Sequence, residues 1–324
     1  MDIPNLSHSS TPSNSVSENL NVETSDGNSP DPELVKQLKQ WIKDLHDPSK
    51  RETALHNLSK LSSKREEFPD LAIWLWNSYG TMTILLTEIL MVAPYIHPPR
   101  LTNQMSTAVC NTLALLQCIA SHKDTRLLML HSNLHMYLYS FLHTTKSERP
   151  YEYVRLTSLG VIGALVRSED KDVISLLLQT EIVPLCLRIM EAGSDLSKTV
   201  ASFILQKILT LDTGLNYICQ TYERFNHVAK ILKKSVENIA NQRNSQTARL
   251  FKQVVRCYSR LSFNGKAVHG LLEVLPDQLK DDTFKAEIEG DPQLKDAWTC
   301  LKDNLEKAGK IPRPHPREAA NLSI

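Results

Sequence analysis

Glycine is scarce in this sequence, with 10 among 324 residues. Parallel sheets with phosphate-cradling loops, tight hairpin turns and strained active-site elbows all use glycine for positive φ and close backbone approach. Its scarcity points to a chain built from helices and short polar loops. Aromatic residues are also few, at 6%, so leucine dominates the apolar set. No two of the six cysteines (Cys110, Cys118, Cys186, Cys219, Cys257 and Cys300) have the C-x-x-C spacing of a zinc or redox site. They read as buried free thiols of a reducing compartment. Long apolar runs are missing too. The stretches at 83–92 and 159–166 fall far below the ~20 residues of a membrane helix. The opening MDIPNLSHSS has neither a basic start nor an apolar run and does not read as a signal peptide. A net charge of +1 gives no global attraction to nucleic acid or membrane. A soluble protein of the cell interior is expected.

Catalytic signatures are equally thin. No Walker loop, G-x-S-x-G elbow or dinucleotide fingerprint occurs. His131 and His135 have the i, i+4 spacing of a helical metal pair, but Ser132 stands where the zincin pattern places its glutamate. They read as surface or packed histidines. Glu287, Glu289 and Asp291, near Gly290 and Pro292, read as a solvated acidic cluster. The chain is therefore expected to be no enzyme and to carry no cofactor or metal.

What is present is a rhythm. Residues 1–31 are rich in Ser, Asn, Thr and Pro, cannot bury enough apolar area to offset their ordering entropy, and are expected to be disordered. From Pro32 the apolar residues Leu34, Leu38, Trp41, Ile42 and Leu45 recur at helical steps. Helical runs and polar loops then alternate to about residue 309, with 310–324 left as a flexible tail. Several runs are copies of one pattern: NTLALLQCIAS, TSLGVIGALVR, ASFILQKILTL and QVVRCYSRLSF place Leu113, Leu159, Phe203 and Val255 in register. Six residues on stand Ile119, Leu165, Leu209 and Leu261. Periods in the forties with two or three helices each predict an all-α armadillo- or HEAT-type solenoid over 32–309. The longer third interval is assigned to a polar insertion at 237–247.

Charge is unevenly spread. Between Tyr222 and Val268 ten basic residues face two acidic ones, a local balance of +8. Arg249, Lys252, Arg256 and Arg260 fall on one helix face. Like charges at that spacing repel unless partnered, so the stripe is a candidate for binding single-stranded nucleic acid.

The stretches YEYVRLTSLGVIGALV, TEIVPLCLRIMEAGSDLSKTVASFILQKIL, YICQTYERFNHVAKIL and LPDQLKD resemble the Required-for-Cell-Differentiation family, the armadillo-repeat ninth subunit of the Ccr–Not mRNA deadenylase complex. The resemblance runs from about Pro32 to Leu305. It implies an armadillo solenoid of about six repeats and a non-catalytic adaptor, cytoplasmic (including P-bodies) and nuclear. Such a subunit docks on the Not scaffold and receives tryptophan-containing peptides of silencing and RNA-binding proteins in a concave groove, so promoting mRNA decay and translational repression. Nucleic-acid binding and homodimers are implied as well. The scaffold contact falls on WNSYGTMTILLTEIL, hence on Asn77, Tyr79, Thr83 and Leu90, where His, Phe, Ala and Val are common in the family. The peptide pockets fall on Thr199, Tyr222, Arg224 and Lys266, the last replacing a more usual Arg.

Overall fold

Polar side chains open the long helices. Thr102, Ser194 and Thr221 each accept a hydrogen bond from a first-turn backbone N–H. Asn244 and Thr247 cap one another reciprocally, satisfying donors that a helix start leaves orphaned. The computed structural model describes residues 32–64 and 68–310. The expected disordered arm at 1–31 and all but the first residue of the tail lie outside them. Among the described residues every regular element is helical.

The helices fall into six repeats. The first is a pair, α1 (Pro32–Asp44) and α2 (Arg51–Ser63). Three triplets follow: α3 (Leu71–Asn77), α4 (Thr81–Val92) and α5 (Asn103–Ser121), then α6 (Lys123–His131), α7 (Tyr139–His143) and α8 (Arg149–Val166), then α9 (Lys171–Leu177), α10 (Ile182–Ala192) and α11 (Asp195–Thr210). The fifth repeat is α12 (Asp212–Cys219), α13 (Tyr222–Asn241) and α14 (Ser245–Leu261). The sixth is α15 (Gly265–Val274), α16 (Lys285–Glu289) and α17 (Pro292–Lys310). The last helix of each repeat packs on the last helix of the next, α2 on α5 and so on to α17. A second layer forms where α10 lies against α7 and α13, and α13 against α15.

The repeat seen in sequence marks the last-helix row. Leu113, Leu159 and Val255 are fully buried and Phe203 partly so, while Ile119, Leu165, Leu209 and Leu261 are all fully buried. Burying one such side chain stabilises by about 1.5–3 kcal/mol, and a stacked row puts that burial at each repeat junction. The assigned insertion at 237–247 is the end of the 20-residue α13 together with the capped turn into α14.

One buried polar network ties the third repeat to the fourth. Arg155, 3% exposed, donates to the carbonyls of Thr144 at 2.8 Å and Lys146 at 2.6 Å and pairs with Glu152. The Glu152 carboxylate also accepts from Ser194 and, at 2.6 Å, from Ser197 at the start of α11. Burial pushes the Glu152 pKa up, but the two hydroxyls and Arg155 together hold it below the usual value.

Candidate functional site

Tyr222 is the first residue of α13 and Lys266 the second of α15. Thr221 caps the one helix and Asn264 the other, Asn264 accepting from the N–H groups of Lys266 at 3.0 Å and Ala267 at 3.1 Å. These caps fix where each helix starts, and both starts open onto a cavity of about 380 Å³. Besides Tyr222 and Lys266 it is lined by Cys219 and Gln220 at the end of α12, Phe225 on α13, and His269, Gly270 and Glu273 on α15. Tyr222 is 71% exposed, so its ring stands at the mouth, whereas Phe225 is buried in the wall. Burial pushes the Cys219 thiol up to about 11, so it is a neutral, unreactive thiol near pH 7.

Arg224 and Thr199 do not join this lining. The Arg224 guanidinium lies 3.8 Å from the Tyr217 ring centroid, donates to the Tyr217 carbonyl and reaches Gln220 at 3.4 Å. It braces the α12–α13 corner beside the cavity. Thr199 is on α11, its hydroxyl donating to the Asp195 carbonyl at 2.7 Å. The cavity lies among first and second helices, not in the last-helix row that carries Thr199. Of the four residues expected for the peptide pockets, Tyr222 and Lys266 line this cavity, Arg224 lies beside it, and Thr199 stands in the last-helix row. Phe225, His269, Gly270 and Glu273 were missed from the sequence. A glycine inside a helical pattern was the one signal that could have singled out that wall.

The scaffold candidates Asn77, Tyr79, Thr83 and Leu90 are all exposed, Tyr79 at 90% and Leu90 at 46%, and two of them line one cavity. Gly80, at φ +71°, makes the turn between α3 and α4 that projects Tyr79 outward. Tyr79 and Thr83 line a cavity of about 430 Å³ with His46, Arg51, Gly80, Ile84 and Thr87. Arg51 is held there by Glu88 at 3.2 Å and the Leu45 carbonyl at 2.8 Å. Met91 and Tyr95 extend the exposed apolar surface beyond Leu90.

The cationic stripe is largely partnered, contrary to the repulsion read from its spacing. Lys252 pairs with Asp291 at 2.6 Å, Arg256 donates to Gln293 at 2.8 Å, and Arg260 reaches both the Leu209 carbonyl and Asp212. Neighbouring helices supply these partners, which no single-helix reading can see. Asp291 and Glu287 are likewise consumed, by Lys252 and by Arg243 at 3.1 Å. His135 is buried at 2% exposure while His131 is exposed. Among the described residues no group of three His, Cys, Asp or Glu side chains is placed to hold a metal, and no single helix is long and apolar enough to cross a membrane.

Residues 41–305 match the model of the cell differentiation family, Rcd1-like. The chain belongs to that family. It is 51% identical over 272 residues to cell differentiation protein rcd1 of Schizosaccharomyces pombe, covering 84% of this chain and 94% of the relative. It is 50% identical over 265 residues to protein CAF40 of Saccharomyces cerevisiae, covering 82% and 69%. Solved structures place the family's fold among armadillo repeats. A designed armadillo repeat protein in complex with the peptide (KR)4 superposes with a TM-score of 0.57 at 11% identity, over 83% of this chain and 99% of that one. A second designed armadillo repeat protein gives 0.58 at 12%, over the same shares. At such identities the likeness concerns the fold alone.

Proposed function

We propose that this chain is a non-catalytic adaptor of the Ccr–Not mRNA deadenylase complex, acting in the cytoplasm, including P-bodies, and in the nucleus. One surface, at Asn77, Tyr79, Thr83 and Leu90, docks on the Not scaffold. The cavity between α13 and α15 takes a tryptophan side chain from a silencing or RNA-binding protein. So bridged, the target mRNA is deadenylated and repressed. The observation that carries this reading is the cavity itself: an exposed tyrosine ring and an ammonium group stand beside the apolar side of its wall, Phe225, Ala267 and Gly270. An indole offers area to the ring and a negative π-face to the cation, worth about 0.5–2 kcal/mol. One such site is weak alone, so a peptide whose second tryptophan engages the surface at Thr199 gains affinity through effective concentration.

Affinity purification of the tagged chain from cells tests the proposal. Recovery of the deadenylase subunits supports it, and their absence removes it. Direct single-stranded nucleic-acid binding through the basic 222–268 region is the second reading, favoured by its local charge of +8 and weakened by the internal partners of Lys252, Arg256 and Arg260. Self-association into a homodimer is compatible with either.

A further inference from the structure

Gly270 stands in the interior of α15, where glycine weakens a helix relative to alanine. Its backbone does not require glycine, because Gly80 is the one positive-φ glycine among the described residues. What requires it is space. A Cβ at position 270 would lie 2.5 Å from Cε1 and 3.0 Å from Cζ of Phe225, well inside the ~3.5–4.0 Å of carbon–carbon contact. Gly160 and Gly163 also sit inside a helix, but a Cβ there meets the end of the Gln117 side chain at 3.0 Å or Phe203 at 3.8 Å. A flexible amide can move aside, whereas Phe225 is a rigid ring, 5% exposed and packed in the core. Both Gly270 and Phe225 line the cavity that Tyr222 and Lys266 share.

We infer that Gly270 and Phe225 together set the depth of this cavity and select a two-ring aromatic side chain over a smaller one. The missing side chain at 270 lets the Phe225 ring recess against α15. The recess is the room in which the second ring of an indole fits, and a methyl group at 270 both occupies that wall and drives the phenyl ring outward. The inference rests on the adaptor reading, in which the cavity takes tryptophan.

Calorimetry on the full chain tests it, with two peptides that differ only in tryptophan or phenylalanine at the anchor positions. The wild-type chain should prefer the tryptophan peptide by roughly tenfold, the lower end of what pocket size discriminates. Gly270→Ala should lose that preference while staying helical by circular dichroism. Gly270→Ala with Phe225→Leu removes the clash and should regain the preference to within about threefold of wild type. This double variant decides the matter if the single one fails to fold. A uniform loss of affinity for both peptides, or a double variant that stays indiscriminate, overturns the inference and leaves the adaptor reading standing. Failure of the wild-type chain to bind either peptide overturns both.

Discussion

Tyr222 and Lys266, forty-four positions apart, line one cavity because each opens a capped helix in adjacent repeats. Their neighbour Arg224 is engaged with Tyr217, so Tyr222 and Lys266 are the cleaner probes of binding. Tyr222→Ala and Lys266→Ala should each weaken a tryptophan peptide by about tenfold, equivalent to about 1.4 kcal/mol. Both residues are exposed at helix starts, so stability should change by no more than about 0.5 kcal/mol. Calorimetry beside thermal melts reads both quantities. Full affinity in the double substitution would move the peptide site elsewhere.

The surface on α3 and α4 gives a second expectation. Thr83 and Leu90 are exposed, so Thr83→Tyr with Leu90→Tyr adds bulk outside the core and should leave the melting curve nearly unchanged. The added rings should displace the scaffold from the surface that Tyr79, Thr83 and Leu90 offer it. Scaffold recovery in a pull-down should fall at least tenfold while tryptophan-peptide binding persists. Intact scaffold recovery by the folded double variant would place that interface on another repeat.

Legibility followed the physics of each feature. The register of Leu113, Leu159, Phe203 and Val255 was readable because burial along a stacked row imposes a local period, and α5, α8, α11 and α14 carry it. Tyr79 and Leu90 were named from resemblance; the turn at Gly80 exposes the one and α4 exposes the other. That Arg224 stands beside the cavity and Thr199 in another helix row was not legible. It depends on which layer each helix joins, and on Tyr217 being within reach of the Arg224 guanidinium. The stripe at Arg249, Lys252, Arg256 and Arg260 misled for the same reason, since its partners Asp212, Asp291 and Gln293 stand on, or just before, other helices.

Those partners bear on nucleic acid. Binding of a single strand weakens with salt by a log–log slope of about 0.7 per phosphate neutralised. If all four cations engaged phosphates, exchanging them for Gln would lower the slope by about 2.8. Among the described residues only Arg249 of the four has no ion-pair or hydrogen-bond partner, so the expected change is about 0.7. Titrations with a fluorescent oligonucleotide between ~50 and ~200 mM salt separate the two values. A change near 2.8 would mean that the internal pairs open for the ligand and would restore the nucleic-acid reading.

His135 supplies a pH dependence whose sign can be worked out. Both ring nitrogens are buried without a hydrogen-bond partner, and the ring meets Tyr139 edge-on at 6.1 Å. Burial disfavours the imidazolium and lowers the pKa from 6.5 to about 4. The unfolded chain, with the ordinary value, takes up a proton first as pH falls. Stability contributed by the neutral ring is therefore complete above about 6.5 and drains away between there and about 4. At 1.36 kcal/mol per pH unit the full loss is about 3 kcal/mol. His135→Leu replaces the ring with an apolar side chain of similar size and removes the proton uptake. Relative to wild type, the variant should gain stability steadily from pH 6.5 down to 4 in urea melts. Glu152 enters only lower, because its depressed pKa holds its contribution until pH falls below the usual carboxylate value. A constant difference between His135→Leu and wild type across that window would show that position 135 binds no proton on unfolding.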